Sequence, residues 1–139
     1  MKYEIRHCLL LALVVVLTSG CRGQTEIYSD LASASASGII EKGWLPDFLP
    51  RSSRSVEITT DVEFSVARGS FSFDRREYIS FVSQLVPYEG ERSPSVEDNM
   101  LIDALVQDGR HAWVYSSGAT KWVFLCRKEQ ADCKFFVWQ

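Results

Sequence analysis

The plainest pattern in the chain is the alternation SVEITTDVEFSV, in which Val56, Ile58, Thr60, Val62, Phe64 and Val66 share one side and Glu57, Thr59, Asp61, Glu63 and Ser65 the other. Strict alternation with period two marks a half-buried strand of antiparallel type, read as one long strand or two with a bend near Asp61. Arg68-Gly69 then reads as a turn, with Phe71 and Phe73 on a partner strand. The period changes after Asp74. Tyr78, Phe81, Val82, Leu85 and Val86 recur at helical spacing behind an Asp74–Glu77 variant of the capping box, and Pro87 ends the element. The polar PYEGERSPS leads into a second predicted helix, Val96 to Gln107, with Ser95 as cap and Gly109 as stop.

HAWVYSS, TKWVFLC and CKFFVWQ are aromatic and β-branched runs separated by turn residues, the pattern of a three-stranded meander. Their residues are apolar on both sides: Trp122 and Phe124 alternate with Val123 and Leu125, and Phe135 and Val137 with Phe136 and Trp138. One sheet face is expected to lie under the helices. The other is left for the segment GWLPDFLP, for a partner, or for nothing.

Upstream, Ser29 to Lys42 reads as a helix with a small-residue face, capped by Ser29 and closed by Gly43, with Leu31, Ile39 and Ile40 as its apolar contacts. A low-complexity linker is the other reading of SASASAS. In GWLPDFLP, Pro46 and Pro50 drive Leu45 and Leu49 into extended conformations, and a turn with Pro46 at its second position gathers Trp44, Leu45, Phe48 and Leu49 into an apolar knot. The segment is a structural corner or a recognition element, and Trp44, Phe48, Trp122 and Trp138 are the candidate interface aromatics, since Trp is favoured at binding hot spots. The fold class expected is α+β: an antiparallel sheet of about five strands, two to three helices packed on one face, and the C-terminal meander.

The first residues change the picture. Lys2 and Arg6 precede the apolar run Cys8–Leu17, followed by Thr18-Ser19-Gly20-Cys21. That run is too short to span a hydrocarbon core of about 30 Å as a helix, which takes roughly 20 residues. Its flanks are those of an export signal. Residues 1–20 are therefore read as a signal peptide, 21–28 as a tether and 29–139 as a single domain. Cys8 leaves with the signal. Cys126 and Cys133 flank the polar RKEQAD between two apolar runs, and an exported chain meets an oxidising compartment. A hairpin disulfide is the reading; a metal or redox pair fits less well, because the spacing exceeds CxxC and no histidine lies nearby.

Past the signal, 13 basic residues stand against 17 acidic ones. A net charge near −4 argues against nucleic acid and against electrostatic adsorption to anionic lipid. His111 is the one histidine past the signal and has no nucleophile elbow near it. Neither a metal motif nor a phosphate loop is present, so no cofactor, metal or catalytic residue is nominated. Glu89, Glu91, Glu97 and Asp98 read as a solvated acidic loop and helix start.

Two resemblances follow. TSGC resembles the lipobox of bacterial lipoproteins, although Thr18 stands where that family places Leu; the resemblance implies lipidation of Cys21 as the new N-terminus. Arg22, not Asp, follows it, which resembles the outer-membrane-directed pattern. The run from Ala36 through Gly43-Trp44-Leu45-Pro46 and Leu49-Pro50 to Val56-Glu57-Ile58 resembles small bacterial lipoproteins of the YbbD head domain type, over about residues 28–83. Their polar cluster, a His and an Asp-Thr-Asn run around the positions of Thr59, Thr60 and Asp61, is replaced here, and the family supplies no catalytic residues to carry over. The expected role is a lipid-anchored, non-enzymatic envelope module that contacts the membrane through Cys21 and binds an envelope protein or plays a structural part. A periplasmic inhibitor or immunity protein and a carboxylate-dependent hydrolase are the alternatives.

Overall fold

The structure, a computed structural model, describes residues 23–139. The segment read as a signal peptide and Cys21, the expected lipidation site, lie outside the described residues. One antiparallel sheet of seven strands organises the chain, in the order β1-β2-β3-β7-β6-β5-β4. The strands are β1 (Gln24–Asp30), β2 (Arg54–Asp61), β3 (Val66–Ser72), β4 (Val86–Pro87), β5 (His111–Ser117), β6 (Thr120–Arg127) and β7 (Asp132–Trp138). The helices are α1 (Leu31–Ala36), α2 (Tyr78–Val82), entered through a 3₁₀ turn at Arg75–Glu77, and α3 (Val96–Gln107).

Seven strands replace the five expected. From Gln24 onward the expected tether is β1, paired with β2 from Gln24↔Thr60 to Asp30↔Arg54. The strand is hard to see in the sequence because as an edge it buries little, and Ile27 is 71% exposed. The alternating run is two strands with a hairpin turn between them. Asp61 makes that turn: its Oδ1 accepts from the backbone N–H groups of Glu63 (3.2 Å) and Phe64 (3.3 Å). Val62 and Phe64 keep the alternating pattern yet sit exposed on the turn.

Arg68-Gly69 is no turn. Gly69 lies inside β3 opposite Ile58, beside an irregularity in β2 between Arg54 and Glu57. A Cβ at Gly69 would fall 1.9 Å from the Glu57 carbonyl oxygen and 2.8 Å from the Phe135 ring. The backbone approaches so closely that only glycine fits.

Helices cover both sheet faces, not one. On the first face Phe71, Trp122, Phe124 and Phe135 meet Ala34 of α1, Leu45 and Leu49 of the proline corner, and Phe81 of α2. On the second, Val114, Val123, Leu125 and Phe136 meet Ile102 and Leu105 of α3. This accounts for strands that are apolar on both sides: each face of β6 and β7 is a core.

The expected long helix at 29–42 is the short α1, capped by Asp30 rather than Ser29, whose side chain accepts from Ser33 N at 2.8 Å. It runs on as turns to Gly43, whose φ of 81° permits the exit. Asp74 caps the next element through Arg76 N at 2.9 Å. Glu77 does not reach back as a capping box would. Its carboxylate accepts instead from Arg51 N (3.2 Å) and Ser52 N (3.1 Å), fastening the end of the proline corner to α2. The predicted α3 is observed with both ends as expected: Ser95 accepts from Asp98 N at 3.2 Å, and Gly109 has a φ of 86°.

Candidate functional site

The four candidate interface aromatics do not form a surface. Trp44 and Trp122 are 8% and 4% exposed, so both belong to the core. The indole Nε1 of Trp122 donates to the backbone carbonyl of Trp44 at 3.1 Å, across 78 residues of sequence. Phe48 is half-buried with its ring edge-on to Tyr115 at 4.5 Å. Trp138 is half-buried against the α3-side core, on the opposite face of the sheet. The apolar knot thus closes one face, and GWLPDFLP is a structural corner. A disulfide joins Cys126 to Cys133, directly opposite each other on β6 and β7. Both are fully buried in the first core. His111 is exposed at the start of β5.

On the first face a hollow of about 500 Å³ lies between Leu31, the proline corner and α2, and the second face is open beside α3. α3 crosses only part of it, and the polar side of β2 and β3 is left bare. A cleft of about 480 Å³ lies there, between the β2–β3 hairpin and the start of α3, with Gly23 of the incoming chain on its wall. Thr59, Asp61, Phe64, Arg68, Val96 and Asp98 supply its chemistry. A second hollow of about 310 Å³ continues along α3 past Leu101, Leu105 and Lys134, and shares Thr59 and Arg68 with the first.

Arg68 is the hub. Its Nη1 donates to Asp98 at 3.2 Å and its Nη2 to Glu97 at 3.2 Å. The side chain of Asp98 is 5% exposed, whereas Arg68 and Glu97 are 37% and 72% exposed. Burial pushes the Asp98 carboxyl above the usual carboxylate range, and the attraction of Arg68 only partly offsets that. Position in the first turn of α3 also suits a carboxylate, since the helix dipole is positive there. The cleft thus holds one guanidinium paired with two of its three carboxylates, Asp61 being the third, beside apolar Phe64 and Val96. Among the described residues no group of three or more His, Cys, Asp and Glu is placed to hold a metal ion.

In the sequence Glu97 and Asp98 read as a solvated acidic stretch and Arg68 as part of a turn. Their meeting depends on the register of β3 in the sheet and on where α3 crosses it, across 30 residues of sequence. No local signal marks Arg68, which has the parity of the apolar positions ending at Val66 and is followed by the glycine of an apparent turn.

No curated protein and no solved structure matches the chain. Residues 23–72, from the entry of β1 to the end of β3, match the family model of the YbbD head domain. The match takes in the corner, Thr59, Asp61 and Arg68, while the α3 carboxylates lie beyond it, so the likeness to the YbbD head domain covers the first three strands and no more.

Proposed function

We propose that the chain is an acylated bacterial envelope lipoprotein, anchored through Cys21 to a membrane that it faces from the periplasm, and that it acts there as a non-enzymatic binding module. The single observation that carries the binding role is the open polar half of the second sheet face, with Arg68 and the buried Asp98 at its floor. Buried ion pairs contribute little net stability. A pair held in a cleft instead presents fixed charges to a ligand. Binding is favoured over catalysis because the Asp98 carboxyl is already committed to Arg68. The anchor is supported by the export signal and the TSGC sequence before the domain. Cys21→Ser moves the protein from membranes to soluble fractions; unchanged membrane retention overturns the anchor.

The hydrolase reading has one observation in its favour, the raised Asp98 carboxyl beside Glu97 in a cleft. It predicts turnover of an envelope polymer that Asp98→Asn abolishes without loss of fold. The binding reading predicts retained ligand and no turnover in either form.

A further inference from the structure

The sheet has two unlike ends. At one end stand Gly23, the β2–β3 hairpin, the β5–β6 turn and the start of α3, since Val66 and Lys121 both pair with Trp138, and Gly23, Phe64 and Val96 line one cleft. At the other end lies the β6–β7 turn, with Arg127 and Lys128 exposed and Arg75 paired to Glu129 at 2.7 Å. The first end carries three large apolar side chains in solvent: Val62 at 76%, Phe64 at 65% and Val96 at 74% exposed. Single exposed apolar residues are ordinary on protein surfaces. Three gathered where the chain enters from its anchor are not.

We propose that this end, with Phe64 at its centre, is a membrane-contacting tip that dips into the lipid headgroup layer. The proposal rests on the lipid anchor at Cys21, and two facts identify lipid as the occupant. Cys21 precedes Gly23 by two residues, and the extended chain advances at most about 3.3–3.6 Å per residue, so its Cα stands within about 7 Å of that of Gly23. Acyl chains on Cys21 would therefore keep this end of the sheet close to the bilayer surface, the end on which Val62, Phe64 and Val96 are exposed. The hairpin is also stiff enough to present them. Asp61 holds the Glu63 and Phe64 N–H groups, and the Ser65 carbonyl accepts from Gln139 N at 3.1 Å. The acidic Asp61, Glu63 and Glu97 on the same end disfavour an anionic surface, so a zwitterionic one is the fitting probe. In this pose the charged β6–β7 end faces away from the membrane.

The test uses the full acylated chain, purified from membranes and reconstituted into phosphatidylcholine vesicles, with Phe64→Cys or, as the control at the far end, Lys128→Cys. Each introduced thiol carries the same polarity-sensitive fluorophore. Both sites are exposed, and intact mass confirms that the Cys126–Cys133 bond remains closed. Expected are blue-shifted emission at position 64, its loss when nitroxide-bearing lipid is included, and aqueous emission at 128. If the protein floats with the vesicles but the probe at 64 stays aqueous, the tip is wrong and the anchor stands. Blue-shifted emission at 64 that nitroxide lipid leaves untouched places protein, such as a second copy, on the tip and overturns the proposal. Failure of the unlabelled protein to float overturns the anchor, and the tip with it.

Discussion

Trp122→Phe tests what joins the family-matched segment to the meander. The indole Nε1 of Trp122 reaches the Trp44 carbonyl at 3.1 Å, and both Trp residues are nearly buried. Phe removes the donor and strands a buried carbonyl, which costs about 1–3 kcal/mol. Loss of the smaller ring's contacts adds about 1 kcal/mol by buried area. The total is about 2–4 kcal/mol. Trp44→Phe is the matched control, because it loses similar area but keeps the backbone carbonyl and hence the hydrogen bond; it should cost about 1 kcal/mol. Urea denaturation of the domain, followed by circular dichroism, measures both. For a domain of this size each kcal/mol also moves the melting temperature by roughly 3–6 °C. Equal losses in the two variants, or a greater loss in Trp44→Phe, would refute the view that this hydrogen bond fastens the corner to the sheet.

Three further outcomes follow from the same structure. Replacing Cys126 and Cys133 together by Ala frees a ring of sequence separation 7, which the loop-entropy relation values at about 2–3 kcal/mol; reduced and oxidised wild type should differ by a similar amount in urea. Gly69→Ala drives a methyl group into the Glu57 carbonyl and should cost at least the 1–3 kcal/mol typical of overpacking; near-normal stability would mean that β2 and β3 can part freely. Asp132 is held below the usual carboxylate range by Arg127 and more weakly by Arg110, whose Nη1 lies 3.5 Å away. A lowered folded pKa contributes stability above the ordinary carboxylate pKa, lost as the pH falls through the folded value. Asp132→Asn should therefore cost about 1–3 kcal/mol at pH 7, discounted for partial exposure of the pair, with the gap closing in acid; a gap unchanged down to pH 2 would contradict this.

The elements legible in the sequence were those with strong periodicity and local punctuation. α3 has a Ser cap and a Gly stop on either side of a helix of 12 residues, and the meander has β-branched and aromatic runs between turn residues. The disulfide followed from cysteine arithmetic. Hidden elements share a physical reason: their cause lies far away in sequence. β1 is an edge that buries little and so alternates little. Val62 and Phe64 continue the inward-facing pattern while the Asp61 carboxylate bends the chain beneath them. Gly69 resembles a turn glycine until the sheet register puts the Glu57 carbonyl against it. Helices were placed on one face because nothing local says that α2 and α3 flank the sheet from opposite sides. The Arg68–Asp98 pair is invisible for the same reason, and so is the hydrogen bond that the Trp44 carbonyl accepts from Trp122, 78 residues away.

The proposed envelope role depends first on attachment through Cys21. Mass spectrometry of the protein extracted from bacterial membranes tests it most directly, by reading the N-terminal peptide. The expected result is a chain that starts at Cys21 with a diacylglyceryl group and an amide-linked acyl chain, and that takes up labelled palmitate. A mature chain with unmodified Cys21, or one that begins elsewhere, would contradict it.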